Sequence, residues 1–218
     1  MTGISELRRA MEEAYRRDAA QLPSWPDPHA DRSPTDDEYS RVIDPAKWRI
    51  VTARVDAWAM ALVEAGIGEL QRDAEVEWEA ARNASLVRTD RVVPRSGAGT
   101  PLLLGHRGFE GLDDNFAVVG VGDPAVEVDS APHCGCDACD HGSDQALEIV
   151  DEAVADVLNG SFRRLTRSGS ELTMRRDGWA SSGDFDSDAI RAALESSDHL
   201  PGWDEVAAST WFSSDQPG

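Results

Sequence analysis

All three cysteines of the chain and two of its five histidines lie within nine consecutive residues, 133–141, which read His-Cys-Gly-Cys-Asp-Ala-Cys-Asp-His. Three thiols at this spacing must end up close together, so this stretch restricts the fold more than any other. In a reducing compartment, such clusters bind metals or carry out redox chemistry more often than they form disulfide frameworks. The stretch therefore predicts a metal or thiol site, although it names no substrate.

The spacing of the cluster fits the ligand set of a zinc ion. Zinc needs four ligands in a tetrahedron, and thiolates with imidazole are a usual structural set. Three ligands come from Cys134, Cys136 and Cys139, and we expect Gly135 to free the backbone so that the sulfurs surround one ion. The preferred fourth ligand is His141, and the alternatives are His133, Asp140, His106 or a water molecule.

Two other interpretations of the cluster remain open. Three thiolates and one imidazole around a divalent ion already sum to a charge of minus one, and the nearby carboxylates of Asp137, Asp140 and Asp144 oppose metal binding further. Cys136 and Cys139 could instead form a dithiol pair at the start of a helix, where the helix dipole lowers thiol pKa values. The cysteines could also be small buried residues, with the aspartates as turn formers.

The apolar pattern predicts an α+β fold. Helical spacing predicts helices over residues 4–20, from Asp44-Pro45 to about Ala65, and from about 143 to 158. Short apolar runs separated by turn residues predict an antiparallel sheet over about residues 86–129, together with a hairpin near 162–176. Residues 69–85 fit a helix or a strand, and we favour a helix. We expect the helices to cover one face of the sheet.

The chain divides into three parts. Residues 1–35 contain the first helix and a proline-rich connector, which we expect Trp25 to pin to the body. Residues 36–200 form a single α+β domain, since 218 residues can bury a core without disulfides. Residues 201–218 form a tail, preceded by a short helix predicted over 187–195.

The charge balance excludes two classes of partner. The formal net charge is -20, with 21 Lys and Arg against 41 Asp and Glu, and a field of that sign repels nucleic acids and anionic membranes. The sequence also contains neither the apolar run of a membrane span nor the apolar core of a signal peptide. We expect an acidic cytoplasmic protein whose partner is another protein or a small molecule, and the oligomeric state stays open.

Two motifs follow each other along the chain. The first is Tyr39-Ser40-Arg41-Val42-Ile43-Asp44-Pro45, and the second is Cys134-Gly135-Cys136-Asp137-Ala138-Cys139-Asp140. In this order and separation they resemble a family of uncharacterised bacterial proteins known as a domain of unknown function. The resemblance spans roughly residues 36–165 and implies one shared domain in which the cysteine loop matters.

These observations lead to one functional prediction with two alternatives. We predict a non-catalytic binding or regulatory protein with a structural zinc ion in the cysteine loop. One alternative is a thiol-disulfide oxidoreductase that uses Cys136 and Cys139. The other is a metal-dependent hydrolase whose ion keeps an open coordination position.

Overall fold

The structure is a computed structural model, and it describes residues 3–79, 86–183, 190, 193–195 and 200–212. The α-helices with described bounds are α1 (Ile4–Asp18), α2 (Arg49–Glu64) and α3 (Ser143–Asn159), and the described residues 190 and 193–195 are also helical. Three short 3-10 helices are η1 (Asp36–Ser40), η2 (Pro45–Trp48) and η3 (Asp137–Cys139). Among the described residues, no helix has the length and apolar character that crossing a membrane requires.

The strands form two antiparallel sheets, which confirms the predicted α+β class. The first sheet is a five-stranded meander in the order β1 (Gly68–Gln71), β2 (Leu86–Pro94), β3 (Leu102–Phe109), β4 (Leu112–Gly122) and β5 (Ala125–Ala131). The second contains β6 (Arg163–Arg167), β7 (Ser170–Arg175), β8 (Gly178–Ser182) and β9 (Asp204–Ala207), in the order β8-β7-β6-β9. The predicted hairpin is β6 and β7, and it belongs to this second sheet rather than extending the first.

Helix α2 is the central element of the core. The predicted helix start at Asp44-Pro45 is the start of η2, where the Asp44 carboxylate accepts a hydrogen bond from the backbone N–H of Ala46 at 3.1 Å, and η2 leads directly into α2 at Arg49. The Trp58 and Leu62 side chains of α2 are fully buried. Both α2 and α3 pack against the first sheet and against each other, so the helices cover the sheet as expected.

A buried charge fastens α1 to this core, which the sequence pattern did not predict. The Arg54 guanidinium donates two hydrogen bonds to Asp151 of α3, at 2.9 and 2.7 Å, and one to Glu12 of α1 at 2.7 Å. Trp58 Nε1 also donates to Asp151, at 2.8 Å. Because Arg54 is only 8% exposed, this network joins three helices inside the protein rather than on its surface.

The helix favoured for residues 69–85 is wrong where the structure describes this segment. Residues 68–71 form strand β1, paired with β2, residues 72–73 form a turn, and Trp78 bridges Ala125. The buried Asp90 carboxylate accepts a hydrogen bond from the N–H of Asp73 at 3.0 Å, which turns the chain after β1. Pairing with distant residues therefore overrides the local helical spacing. Residues 80–85 lie outside the described residues.

The region set apart as a tail contributes to the body. Strand β9 pairs with β6, and Trp211 belongs to the main hydrophobic core. The Trp211 indole donates a hydrogen bond to the Thr100 carbonyl at 2.7 Å, and its backbone N–H donates to Leu158 at 2.9 Å. The short helix predicted over 187–195 falls mostly outside the described residues.

Candidate metal centre

The cysteine loop, residues 132–142, joins the end of β5 to the start of α3 and contains η3. It brings the three predicted thiols together: the Sγ atoms of Cys134, Cys136 and Cys139 all lie within 4.8 Å of one another. Cys134 is exposed, Cys136 is buried and Cys139 is half-buried. The sulfur cluster, as we call these three atoms, is therefore open to solvent on the side of Cys134.

The separation of the sulfurs suits a single thiophilic ion. Four ligands at a Zn–S distance of about 2.3 Å in a tetrahedron lie about 3.8 Å from one another. Two of the sulfurs, those of Cys134 and Cys136, are 3.1 Å apart. This pair must open by less than about 1 Å to accept zinc, which the exposed side chain of Cys134 can supply by rotation.

Gly135 is required for a different reason from the one expected. Its φ is not in the left-handed region, so freedom of the backbone is not the constraint. A Cβ atom at this position would instead lie 2.1 Å from Cε1 of Phe109, whose ring packs directly on the glycine. The cysteine loop thus packs tightly against the end of β3 through this contact between Gly135 and the Phe109 ring.

The thiols of Cys136 and Cys139 differ in acidity. Burial raises the pKa of the Cys136 thiol, but hydrogen bonds to its sulfur from Cys134, from Cys139 and from the backbone outweigh burial and hold the pKa below its ordinary value. Burial and the hydrogen bond donated to Cys136 raise the pKa of Cys139 to about 12. Without metal, Cys136 therefore ionises before Cys139, which keeps its proton. Metal binding must displace protons from this group.

The carboxylate of Asp137 is already compensated by a positive charge. It accepts hydrogen bonds from Arg41 Nε at 2.8 Å and from the backbone N–H of Ile43 at 3.1 Å. Burial raises the pKa of Asp137, but the contacts with Arg41 and Ile43 outweigh it and lower the pKa overall. The backbone N–H of Asp137 donates in return to the Arg41 carbonyl at 2.8 Å. These bonds clamp residues 36–44, which we call the strap, onto the cysteine loop.

Asp140 is compensated in the same way and is nearly fully buried. Its carboxylate accepts hydrogen bonds from Trp25 Nε1 at 2.8 Å, from Lys47 Nζ at 2.5 Å and from the Gly142 N–H at 2.9 Å. Trp25 thus pins the proline-rich connector to the body, as the sequence predicts. Because Lys47 and Arg41 offset the two aspartates, the negative charge expected to oppose a metal ion is largely neutralised.

The other proposed ligands do not join the sulfur cluster. His141 is exposed and is not among the donor atoms grouped with the three sulfurs. Asp140 is engaged as described above. His133 Nε2 lies 3.0 Å from Asp129 Oδ1, and His106 lies in a separate group on β3. Within the described residues, the cluster therefore consists of three thiols alone.

A second group of donor atoms, from Asp56, Asp90 and His106, is filled by a cation of the protein itself. Arg88 Nη2 lies 3.3 Å from the Asp56 carboxylate, 3.2 Å from that of Asp90 and 2.9 Å from His106 Nε2. Arg72 Nη1 lies 2.6 Å from each of the two carboxylates. A guanidinium nitrogen occupies the position that a metal would take, so this group is an ion-pair node.

Of the three side chains that hold the cysteine loop, the sequence indicated Trp25 as an anchor of the connector, but it gave no role to Arg41 and Lys47. Arg41 belongs to the first of the two motifs noted in the sequence, and its partner Asp137 belongs to the second. The opposite charges of Arg41 and Asp137, one in each motif, were the signal in the sequence that could have predicted this contact.

Comparison with known proteins places almost the whole chain in one family. A family model described as "Family of unknown function (DUF6226)" matches residues 11–214. No curated protein and no solved structure matches the chain. The match confirms the resemblance to a domain of unknown function and extends it beyond the two motifs.

Proposed function

We propose that this chain, which belongs to the DUF6226 family of unknown function, is a non-catalytic zinc-binding protein whose ion stabilises the junction of strap, connector and α3. The ligands are Cys134, Cys136 and Cys139, with His141 as the fourth. One observation carries the proposal: three sulfurs within 4.8 Å of one another form a group whose neighbouring aspartates are already paired with cations.

The chemistry of the donor set favours zinc. Thiolates are soft ligands that select zinc, copper(I) and iron–sulfur clusters over magnesium or calcium, and three thiolates with one imidazole form a common structural zinc site. The cluster lies where the strap, the connector and the start of α3 meet. An ion at this point ties segments that are far apart in sequence, which is the effect of a structural zinc site on a fold.

The experiment is metal analysis of untagged protein purified under reducing conditions, combined with titration of free thiols before and after chelation. We expect about one zinc ion per chain, with thiols that react slowly until the chelator removes the metal. Wild-type protein without metal, with three freely reactive thiols, contradicts the proposal.

Two substitutions and a matched control sharpen this test. Cys136→Ser removes the buried sulfur, so zinc should be lost and the melting temperature should fall. His141→Ala should weaken zinc binding while the three thiolates remain. His133→Ala is the control, because this histidine is also next to a ligand but bonds Asp129. Equal zinc affinity in the two histidine variants would exclude His141 as a ligand.

A thiol-disulfide oxidoreductase is the second candidate, favoured by the thiols of Cys134 and Cys136. Their sulfurs are 3.1 Å apart, Cys134 is exposed, and the Cys136 pKa is lowered by the hydrogen bonds that outweigh burial. Oxidation would form one S–S bond and pass two electrons and two protons to a disulfide substrate. Turnover of a model disulfide by metal-free protein, lost in Cys136→Ser, would support this function.

A further inference from the structure

The backbone on both sides of His141 is held in place. On one side, the Asp140 carbonyl lies 3.2 Å from His29 Nδ1, and the Asp140 carboxylate bonds Trp25 and Lys47. On the other side, the Gly142 N–H bonds the Asp140 carboxylate. These contacts keep His141 on the outer surface of the loop.

Gly142 makes this arrangement rigid. Its φ is +88°, and a Cβ atom there would lie 2.8 Å from the backbone nitrogen of Asp27. The backbone of the connector passes so close to Gly142 that the loop cannot swing toward the sulfur cluster without displacing the connector. His141 is therefore an exposed imidazole beside a three-thiol site to which the described residues supply no fourth donor.

Two large side chains of the strap, which contacts the cysteine loop, are exposed. Ile43 is 73% exposed and Tyr39 is 60% exposed, and both belong to the strap. The backbone of Ile43 is 3.1 Å from the Asp137 carboxylate, and Asp137 follows the ligand Cys136 directly. The 3-10 helix η1, which contains Tyr39, packs against η3 of the cysteine loop. Exposed side chains of this size beside an incomplete metal site are typical of an interface.

We propose that His141 completes the zinc site of a second copy of this chain, so that two copies form a zinc-dependent dimer. In a two-fold arrangement each copy places its imidazole on the sulfur cluster of the other, and the straps bury Ile43 and Tyr39 against each other. Each zinc then has three thiolates from one chain and one imidazole from its mate. This inference rests on the proposed zinc site.

The second copy is the occupant that the structure favours, because a donor of the missing type is exposed only two residues beyond the ligand Cys139. A two-fold axis between the loops satisfies two sites with two identical contacts. The net charge of -20 on each chain opposes association, so the metal must supply the attraction, and salt must assist by screening.

The first measurement is molar mass by light scattering of untagged, reduced protein at moderate ionic strength. After chelation we expect the 23.6 kDa mass of one chain, and after addition of zinc chloride alone we expect twice that mass. His141→Ala should stay at the mass of one chain while it still binds zinc through three thiolates.

Mixing two variants tests whether the ligand comes from the other copy. A triple variant (Cys134→Ser, Cys136→Ser, Cys139→Ser) keeps His141 but has no sulfur cluster. The His141→Ala variant keeps the sulfur cluster but has no imidazole at this position. Neither should dimerise alone, whereas the mixture with zinc should form a dimer that carries one ion. If the triple variant does not fold, Ile43→Glu provides an independent test: it should bind zinc and remain monomeric. Val87→Glu, at a position 56% exposed outside the strap, should dimerise as the wild type does.

The outcomes separate this inference from the zinc site itself. A zinc-loaded protein that remains at the mass of one chain overturns the dimer and leaves the zinc site standing. Zinc-dependent dimers of His141→Ala, or dimers that persist in chelator, also overturn it. A wild-type protein that binds no zinc removes both proposals together.

Discussion

Replacing Lys47 by methionine should destabilise the protein far more than replacing a neighbouring surface cation. Lys47 Nζ is 2.5 Å from Asp140, and the exposed fractions of the two side chains are 17% and 3%. Removing one partner of a buried ion pair costs about 3–5 kcal/mol, because the other charge stays buried without compensation. Methionine keeps the contact with the Trp25 and Trp48 rings, which lie 5.2 and 5.1 Å from Nζ. The loss in free energy of unfolding should therefore come from the removed charge. Because Lys47 is partly exposed, we expect the lower end of that range, about 3 kcal/mol.

Urea unfolding at pH 7 in the presence of chelator measures this loss without a contribution from metal. Arg49→Met is the matched control, because Arg49 pairs with Asp114 at 3.0 Å but their side chains are 44% and 57% exposed. An exposed pair of this kind is worth about 0–1 kcal/mol. The second arm is the double variant Lys47→Met/Asp140→Asn, which removes both charges and keeps an oxygen for Trp25 and Gly142.

The double variant should recover stability relative to Lys47→Met and cost only about 1–3 kcal/mol, the penalty of one imperfectly bonded amide. A Lys47→Met loss no larger than that of Arg49→Met would refute the reasoning that Asp140 is a buried charge. The single variant Asp140→Asn completes the comparison. If the loss of the double variant equals the sum of the losses of Lys47→Met and Asp140→Asn, Lys47 and Asp140 are not directly coupled.

Three further predictions concern the surroundings of the site and the core. Gly135→Ala should cost about 1–3 kcal/mol in urea unfolding because its Cβ meets the Phe109 ring, and Phe109→Leu should relieve part of that cost. Arg54→Met should cost about 3–5 kcal/mol because it leaves the largely buried Asp151 carboxylate, 15% exposed, without a cation, and limited proteolysis should then release α1 faster. Burial lowers the pKa of His106 in the folded protein. Near pH 6.5, His106 therefore binds a proton in the unfolded chain but stays neutral in the folded chain. Stability should thus fall as pH drops from about 7 to 5, and a slope unchanged in His106→Gln would contradict this.

Local signals predicted the elements whose cause is local. The turn η2, which leads into α2 at Arg49, begins at Pro45 after the Asp44 cap, because capping needs only residues within one turn. The three sulfurs converge because six residues of chain cannot separate them far. Strands β2 to β5 of the first sheet follow short apolar runs bounded by turns, which depend little on the rest of the chain.

The remaining features depend on partners that are distant in sequence. Asp140 is paired with Lys47 across 93 positions and with Trp25 across 115, and no spacing rule reaches so far. Strand β1 forms because β2 is available beside it, although its own spacing also suits a helix. The grouping of the three cysteines was therefore predictable. The pairing of Arg41 and Lys47 with the neighbouring aspartates was not.

The position of β9 has a consequence for how the chain folds during synthesis. Arg163 of β6 and its partner Glu205 of β9 are separated by 42 positions. At a synthesis rate of about 5–20 residues per second, β6 leaves the ribosome roughly 2–8 s before β9 can cover its free edge. During that interval the nascent chain presents an open strand that can pair with another molecule. The yield of native protein should therefore depend on how fast the segment between β6 and β9 is translated. It should also depend on chaperones that bind the nascent chain during this interval.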